Sequence, residues 1–177
     1  MVQYRTVSYS SEVTEIGVVS DTHIPTRGRR LPPEIFNLFE GVQLILHAGD
    51  LVDEKVLDEL RALAPVEAVA GNMDPVHLQS RLGRLKIIEV GSVKLGLLHG
   101  DVGGARFNFE QALELFRPAN LQVVVFGHLH RTVVEKKGDV LFFNPGSLVD
   151  PRHSPEATCG RLVIKNGEVS GEIISID

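Results

Sequence analysis

Two pairs of side chains able to ligate a metal, Asp21-Thr22-His23 and His128-Leu129-His130, stand at i, i+2 spacing. On a strand that spacing keeps both side chains on one side, and at a strand end it lets them converge on one point. Asp50, Asn72 and His99 complete a set of seven oxygen and nitrogen donors suited to a borderline metal ion. Gly stands before Asp50, Asn72 and His128 and permits the tight backbone turns that such close approach needs. Seven ligands are too many for one tetrahedral ion and suit two ions sharing a carboxylate. Asp50 is the natural bridge, with one oxygen for each ion. Two acidic ligands offset only part of the charge of two divalent cations, so the site stays electropositive. It should therefore bind a hydroxide and an anionic substrate such as phosphate.

These residues share a local context. Apolar runs at Ile16–Ser20, Leu44–His47, Val66–Ala70, Leu95–Leu98 and Val123–Phe126 each lead into the polar residues of a Gly-containing turn. Runs of this length, bounded by turn residues, read as fully buried strands. In open α/β sheets, ligands collect outside the carboxyl ends of the strands, where all seven candidates fall. Helices are predicted over Pro33–Phe39, Asp53–Leu63 with Asp53 as N-cap, and Phe107–Phe116. Strand-helix-strand succession implies right-handed crossovers and parallel pairing. The C-terminal part reads instead as hairpin strands at Thr132–Glu135, Leu141–Phe143, Cys159–Lys165 and Val169–Ile176, with Asn166-Gly167 as a turn. The fold expected is α/β, with two sheets facing each other between helices. No repeat or linker divides residues 1–177, so one domain is expected, with residues 1–12 as a loose N-terminal tail.

Composition narrows the function classes. The net charge of -5 is wrong for a chain that coats a nucleic-acid backbone, so no nucleic-acid partner is expected. No apolar run reaches membrane-spanning length, and the polar start lacks the apolar stretch of a secretory signal. The single cysteine, Cys159, excludes an internal disulfide and fits a reducing compartment, so the expected location is cytoplasmic. Cys159 itself reads as a small core residue of a strand.

The ordered series Asp21-Thr22-His23, Gly49-Asp50, Gly71-Asn72, His99-Gly100 and Gly127-His128-Leu129-His130 resembles the five motifs of the calcineurin-like metallophosphoesterase superfamily. Short length and the segment Asn144-Pro145-Gly146-Ser147 resemble its small, single-domain YfcE-type phosphodiesterase branch. The resemblance implies a four-layer αββα sandwich of two mixed sheets flanked by helices. It implies that Asp21, His23, Asp50 and His130 hold one metal, and that Asp50, Asn72, His99 and His128 hold the other. Two divalent ions are implied, with manganese favoured over nickel, zinc or iron; four His among the ligands argue against magnesium.

The chemistry expected is hydrolysis of a small phosphate ester, a diester before a monoester, by in-line attack of a metal-bridging hydroxide. Asp50, Asn72 and His99 would be its catalytic residues, Asn72 also reaching a phosphate oxygen through its amide. Many relatives carry a His after that Asn, able to protonate the leaving group; here Met73 stands there and cannot. Asp74 is expected either to orient a metal-binding His or to cap a loop before Pro75. Arg27, Arg29, Arg30 and Arg106 read as solvated loop residues, His47 as a hydrogen-bonded core residue, and His77 and His153 as surface residues. Without an insertion to cap the site, substrate choice falls to loops such as 27–32 or to a neighbouring subunit of a homo-oligomer. The rival functions are a non-catalytic protein-binding scaffold, the use to which the retromer subunit puts this fold, a nuclease and a nucleotide phosphatase.

Overall fold

The computed structural model describes residues 5–10, 15–101, 107–152 and 154–176. In chain order the strands and helices are β1 (Arg5–Tyr9), β2 (Glu15–Val19), α1 (Glu34–Leu38), β3 (Leu44–His47), α2 (Lys55–Arg61) and β4 (Val66–Ala68). They continue with α3 (Val76–Leu82), β5 (Leu85–Val90), β6 (Val93–Leu98), α4 (Phe109–Leu115) and β7 (Val123–Val125). The last strands are β8 (Thr132–Lys137), β9 (Val140–Pro145), β10 (Ala157–Lys165) and β11 (Glu168–Ile176). One sheet has the order β11-β10-β2-β3-β4 and the other β1-β5-β6-β7-β9-β8. Both are mixed: β2, β3 and β4 run parallel, as do β6, β7 and β9, while the hairpin partners are antiparallel.

Alternation along the strands builds the layers. Ile16, Val18, Leu44 and Leu46 of the five-stranded sheet meet Ile88, Leu95, Leu97, Val123, Val125 and Phe143 of the six-stranded one. The intervening residues face outward. Val19 and Ile45 pack under Ile35 of α1, Val56, Leu57 and Leu60 of α2 and Leu78 of α3. On the other side, Leu85, Ile87, Val124 and Phe142 pack with Ala112 and Phe116 about α4. The three interfaces make the αββα sandwich, and each fully buried Leu, Ile or Phe in them contributes roughly 2 kcal/mol. Strand composition follows from this double burial: a strand covered on both faces has no polar face to show.

Local signals set the boundaries. α2 begins one residue later than expected, with Glu54 at its N-cap, and Asp53 Oδ1 accepts the Lys55 N–H at 2.9 Å just ahead of it. Asn108 Oδ1 accepts the Gln111 N–H at 2.9 Å and shortens the third expected helix at its start. Asn166 and Gly167 both take positive φ, as a two-residue hairpin turn requires. Three elements went unread. Residues 5–9, inside the expected loose tail, form β1 in parallel register with β5, from Arg5 beside Lys86 to Tyr9 beside Val90. Tyr9 anchors the strand by donating its hydroxyl to Glu67 at 2.8 Å. α3 buries only Leu78 and Leu82, too sparse a stripe to read, and β5 follows it directly. Cys159 is a buried residue of β10, and burial raises its thiol pKa to about 12. No helix among the described residues is long and apolar enough to cross a membrane.

Candidate metal centre

The parallel strands of both sheets deliver their carboxyl ends to one edge. The junction is visible where His99, just past β6, reaches across to the Ala48 carbonyl, just past β3, at 2.8 Å. Turns after β2, β3 and β7 hold Asp21, His23, Asp50, His128 and His130 with positive φ between 45° and 67°. That left-handed region is sparsely populated by residues other than Gly, costs on the order of 1–3 kcal/mol each, and persists where surrounding structure imposes it. Here the imposing contacts include Asp21 N–H to the Gly49 carbonyl (3.1 Å) and His23 N–H to the Asp50 carbonyl (2.9 Å).

Each central carboxylate spends one oxygen on the protein and presents the other to imidazoles. Asp21 Oδ2 accepts the Ser20 hydroxyl at 2.5 Å and the His128 N–H at 3.0 Å. Its Oδ1 is buried without a hydrogen-bond partner, 3.2 Å from His130 Nε2 and 3.8 Å from His23 Nε2. Asp50 Oδ1 accepts the Met73 N–H at 2.8 Å, while its Oδ2 lies 3.2 Å from His99 Nε2 and 3.6 Å from His23 Nε2. Asp21, His23 and His130 offer ligand atoms within 4.8 Å of one another, and so do Asp21, Asp50 and His99. His128 lies edge-on to His99 with ring centroids 5.1 Å apart. Asn72 is exposed on the turn between Gly71 and Met73.

This donor set fits divalent cations. His99 donates from Nδ1 to the Ala48 carbonyl and His130 from Nδ1 to the Asp150 carbonyl, so each turns Nε2 inward. His23 Nε2 and His130 Nε2 face each other at 3.3 Å, and the buried His99 Nε2 has no hydrogen-bond partner. A cation between these nitrogens and the free carboxylate oxygens would satisfy atoms that are otherwise orphaned in the interior.

Protonation follows the same charges. Burial alone would raise the Asp21 pKa, but the imidazoles of His130 and His23 beside its Oδ1 hold it far below the carboxylate range. Burial alone would lower the His99 pKa; Asp50 beside it and Asp21 behind it override burial and raise it to about 9. The His130 pKa is likewise raised against burial, by Asp21. A proton on His99 is thus favoured at neutral pH, and a cation taking that nitrogen must displace it. Loading metal at pH 7 is expected to release on the order of one to two protons per chain, with affinity rising with pH until about 9. Titrations in buffers of differing ionisation enthalpy measure this directly; zero release would mean the imidazoles are already neutral.

The remaining polar residues sort clearly. Among the described residues Asp74 makes no hydrogen bond or ion pair with a histidine. Its carboxylate accepts the N–H groups of Val52 (2.6 Å), Gly71 (2.7 Å) and Asp50 (3.0 Å), tying the Asp50 and Asn72 turns together. His47 accepts from Gly49 N–H at 3.2 Å on Nδ1, which leaves Nε2–H for Thr22 Oγ1 at 3.1 Å; burial lowers its pKa to about 4. Arg27, Arg29 and Arg30 are exposed, Arg27 lying 3.8 Å from Asp150, and His77 is exposed. Arg106 and His153 lie outside the described residues. Ligand-spacing logic missed the clamps. Asn144 donates to the Gly127 carbonyl at 2.7 Å, and Ser147 Oγ donates to the Asp21 carbonyl at 2.7 Å. Arg84 donates to the Gly71 carbonyl at 2.9 Å and pairs with Asp101. The one available signal was a polar Asn and Ser at the end of an apolar strand.

The sandwich and its edge of turns belong to a known class. The signature of the calcineurin-like phosphoesterase superfamily domain matches residues 15–167, and the chain belongs to that superfamily. A probable metallophosphoesterase of Methanothermobacter thermautotrophicus is 42% identical over 137 residues, covering 77% of this chain and 78% of the relative. A phosphodiesterase of Methanocaldococcus jannaschii is 31% identical over 145 residues, covering 75% and 82%. Zinc-complexed Vps29 from Entamoeba histolytica shares the fold with a TM-score of 0.72 at 25% identity, covering 91% of this chain and 98% of that one.

Proposed function

We propose that this chain is a cytoplasmic two-metal phosphodiesterase acting on a small phosphate ester. The observation that carries the reading is the pair of inward-facing, orphaned atoms, Asp21 Oδ1 and His99 Nε2, amid imidazoles whose outer nitrogens are already committed. Asp21, His23, Asp50 and His130 would hold one ion; Asp50, Asn72, His99 and His128 the other. Asp50, common to both sets, would be the shared ligand, with Oδ2 turned toward His99 and His23 and Oδ1 accepting the Met73 N–H. Such ions supply an activated water and neutralise charge on the phosphoryl oxygens. Manganese is the favoured ion.

The chain's own part is positioning and proton control. Asp50 and Asp21 fix the imidazoles by charge, and Asp74 fixes the Asp50 backbone. Asn72, exposed at the rim, has an amide NH₂ available for a phosphoryl oxygen once its carbonyl oxygen is a ligand. Met73, 56% exposed beside it, has no proton to give a leaving alkoxide. Diesters with poor leaving groups should therefore turn over slowly. Met73→His is expected to raise kcat on an alkyl-leaving diester by about tenfold or more while scarcely changing aryl diesters. Equal rates for both proteins on the alkyl diester would show the missing acid to be unimportant.

The decisive experiment is hydrolysis of bis-p-nitrophenyl phosphate and p-nitrophenyl phosphate after chelation and reloading with manganese, nickel, zinc or magnesium. The reading requires metal-dependent cleavage, faster on the diester and lost in Asn72→Ala and His99→Ala. The likeness to Vps29 favours one rival, a protein-binding scaffold. Two bound ions with no cleavage of either ester would select it.

A further inference from the structure

Beside the candidate centre lies a second feature that the hydrolytic reading does not use. A cavity of about 850 Å³ opens against His130 and is lined by Phe107, Phe109, Phe126, Arg131 and Arg152 among others. Phe107 stacks on the buried Phe126, with centroids 3.7 Å apart and planes 8° from parallel. Phe109 stands nearly perpendicular to Phe107, at 5.5 Å and 82°. It is braced in turn against Phe142 at 4.7 Å and 77°. The rings thus form a corner, one flat wall and one edge, held by packing and not by solvent. Offset stacking on the wall with an edge contact from the side is the arrangement that a planar aromatic group prefers. An alkyl chain gains nothing special from it.

Charge says what the planar group is attached to. Arg131 and Arg152 are exposed on the cavity lining, Arg152 sharing its charge with Asp150 at 3.4 Å and Arg131 standing as the remaining cation. Among the described residues the one carboxylate that lines it, Glu135, is paired with Lys137 at 2.6 Å. The cavity is therefore cationic and aromatic, and His130 belongs both to it and to the metal centre. We propose that the cavity receives the nucleobase of a nucleotide ester whose phosphate sits at the adjoining centre. This deepens the phosphodiesterase reading and rests on it, naming its substrate class as nucleotide diesters.

Calorimetric titration of manganese-loaded protein with AMP and with ribose 5-phosphate isolates the base, since the two ligands share sugar and phosphate. AMP is expected to bind about tenfold tighter, the contribution of one base stacked on an aromatic side chain. Phe107→Leu and Phe109→Leu should each cut that ratio below about threefold while ribose 5-phosphate binds as before. Arg152→Gln, a change at an exposed position, should weaken both ligands alike and leave the ratio intact. Equal affinity of the wild-type protein for AMP and ribose 5-phosphate would overturn the inference, whether or not the Phe variants fold. So would an undiminished ratio in folded Phe variants. The same preparation is assayed on bis-p-nitrophenyl phosphate. Hydrolysis without base preference removes the inference alone, and absence of hydrolysis removes the reading beneath it.

Discussion

Asp50→Ala is expected to lower metal-dependent kcat/KM on bis-p-nitrophenyl phosphate by three decades or more and to abolish the rise in Tm on adding metal. The residue acts at three points. Its Oδ2 faces His99 at 3.2 Å and His23 at 3.6 Å, its Oδ1 takes the Met73 N–H, and its backbone N–H is held by Asp74. In the two-metal reading proposed above, the carboxylate would be the anionic ligand common to both ions, and its removal would strip their transition-state charge stabilisation. Several kcal/mol of such stabilisation, at 1.36 kcal/mol per tenfold, accounts for the size of the loss. The Met73 N–H is also left without its partner, which costs the fold about 1–3 kcal/mol. Asp50→Asn separates the two effects, because an amide oxygen still accepts from Met73 while the charge is gone. Its metal-free Tm should fall less than that of the alanine variant, since only the Asp50–His99 charge pair is lost, and its activity should fall nearly as far as that of the alanine variant. An Asn variant with wild-type kcat/KM would remove Asp50 from the centre.

The same contacts explain which parts of the site the sequence could disclose. Side chains that meet a ligand advertise themselves by type and by position at a strand end, and Asp21, Asp50, His99 and His130 converge as that logic anticipates. Strand ends are legible because buried parallel strands are unbroken apolar runs, and the run stops where the chemistry starts. The residues that hold those turns carry no such mark. Asp74 acts on three backbone N–H groups from two different loops, a relation that exists only once the loops are adjacent. Ser147 lies 126 residues from the Asp21 carbonyl it binds. β1 escaped for a related reason. Its alternation of Val7 and Tyr9 with Thr6 and Ser8 spans only five residues, and its pairing with β5 crosses the whole intervening sheet-helix unit. Local pattern reveals what a residue is, whereas these roles depend on what comes to lie beside it.

Gly127→Ala should be strongly disruptive at the centre, destabilising the fold by about 3 kcal/mol and removing the response to metal. A Cβ at this position would lie 1.8 Å from Ser20 Oγ, 2.7 Å from Asp21 Oδ2 and 3.0 Å from the Ala48 carbonyl oxygen. Ser20 can rotate away, but doing so breaks its hydrogen bond to Asp21, and the Ala48 carbonyl belongs to backbone that also holds His99. Relief therefore means moving the His128 turn away from the Asp21 and Asp50 turns, which parts the ligands. Gly138→Ala is the control that separates space from conformation. Gly138 has φ +58° with nothing within 4 Å of an added Cβ, so its substitution meets only the left-handed backbone cost of roughly 1–2 kcal/mol. Denaturant unfolding with and without manganese reads both terms. Gly138→Ala should lose stability yet gain as much from metal as the wild type does. Gly127→Ala should lose more and gain nothing. Equal metal stabilisation in the two variants would mean that the His128 turn does not need to approach the Asp21 turn closely for the centre to form.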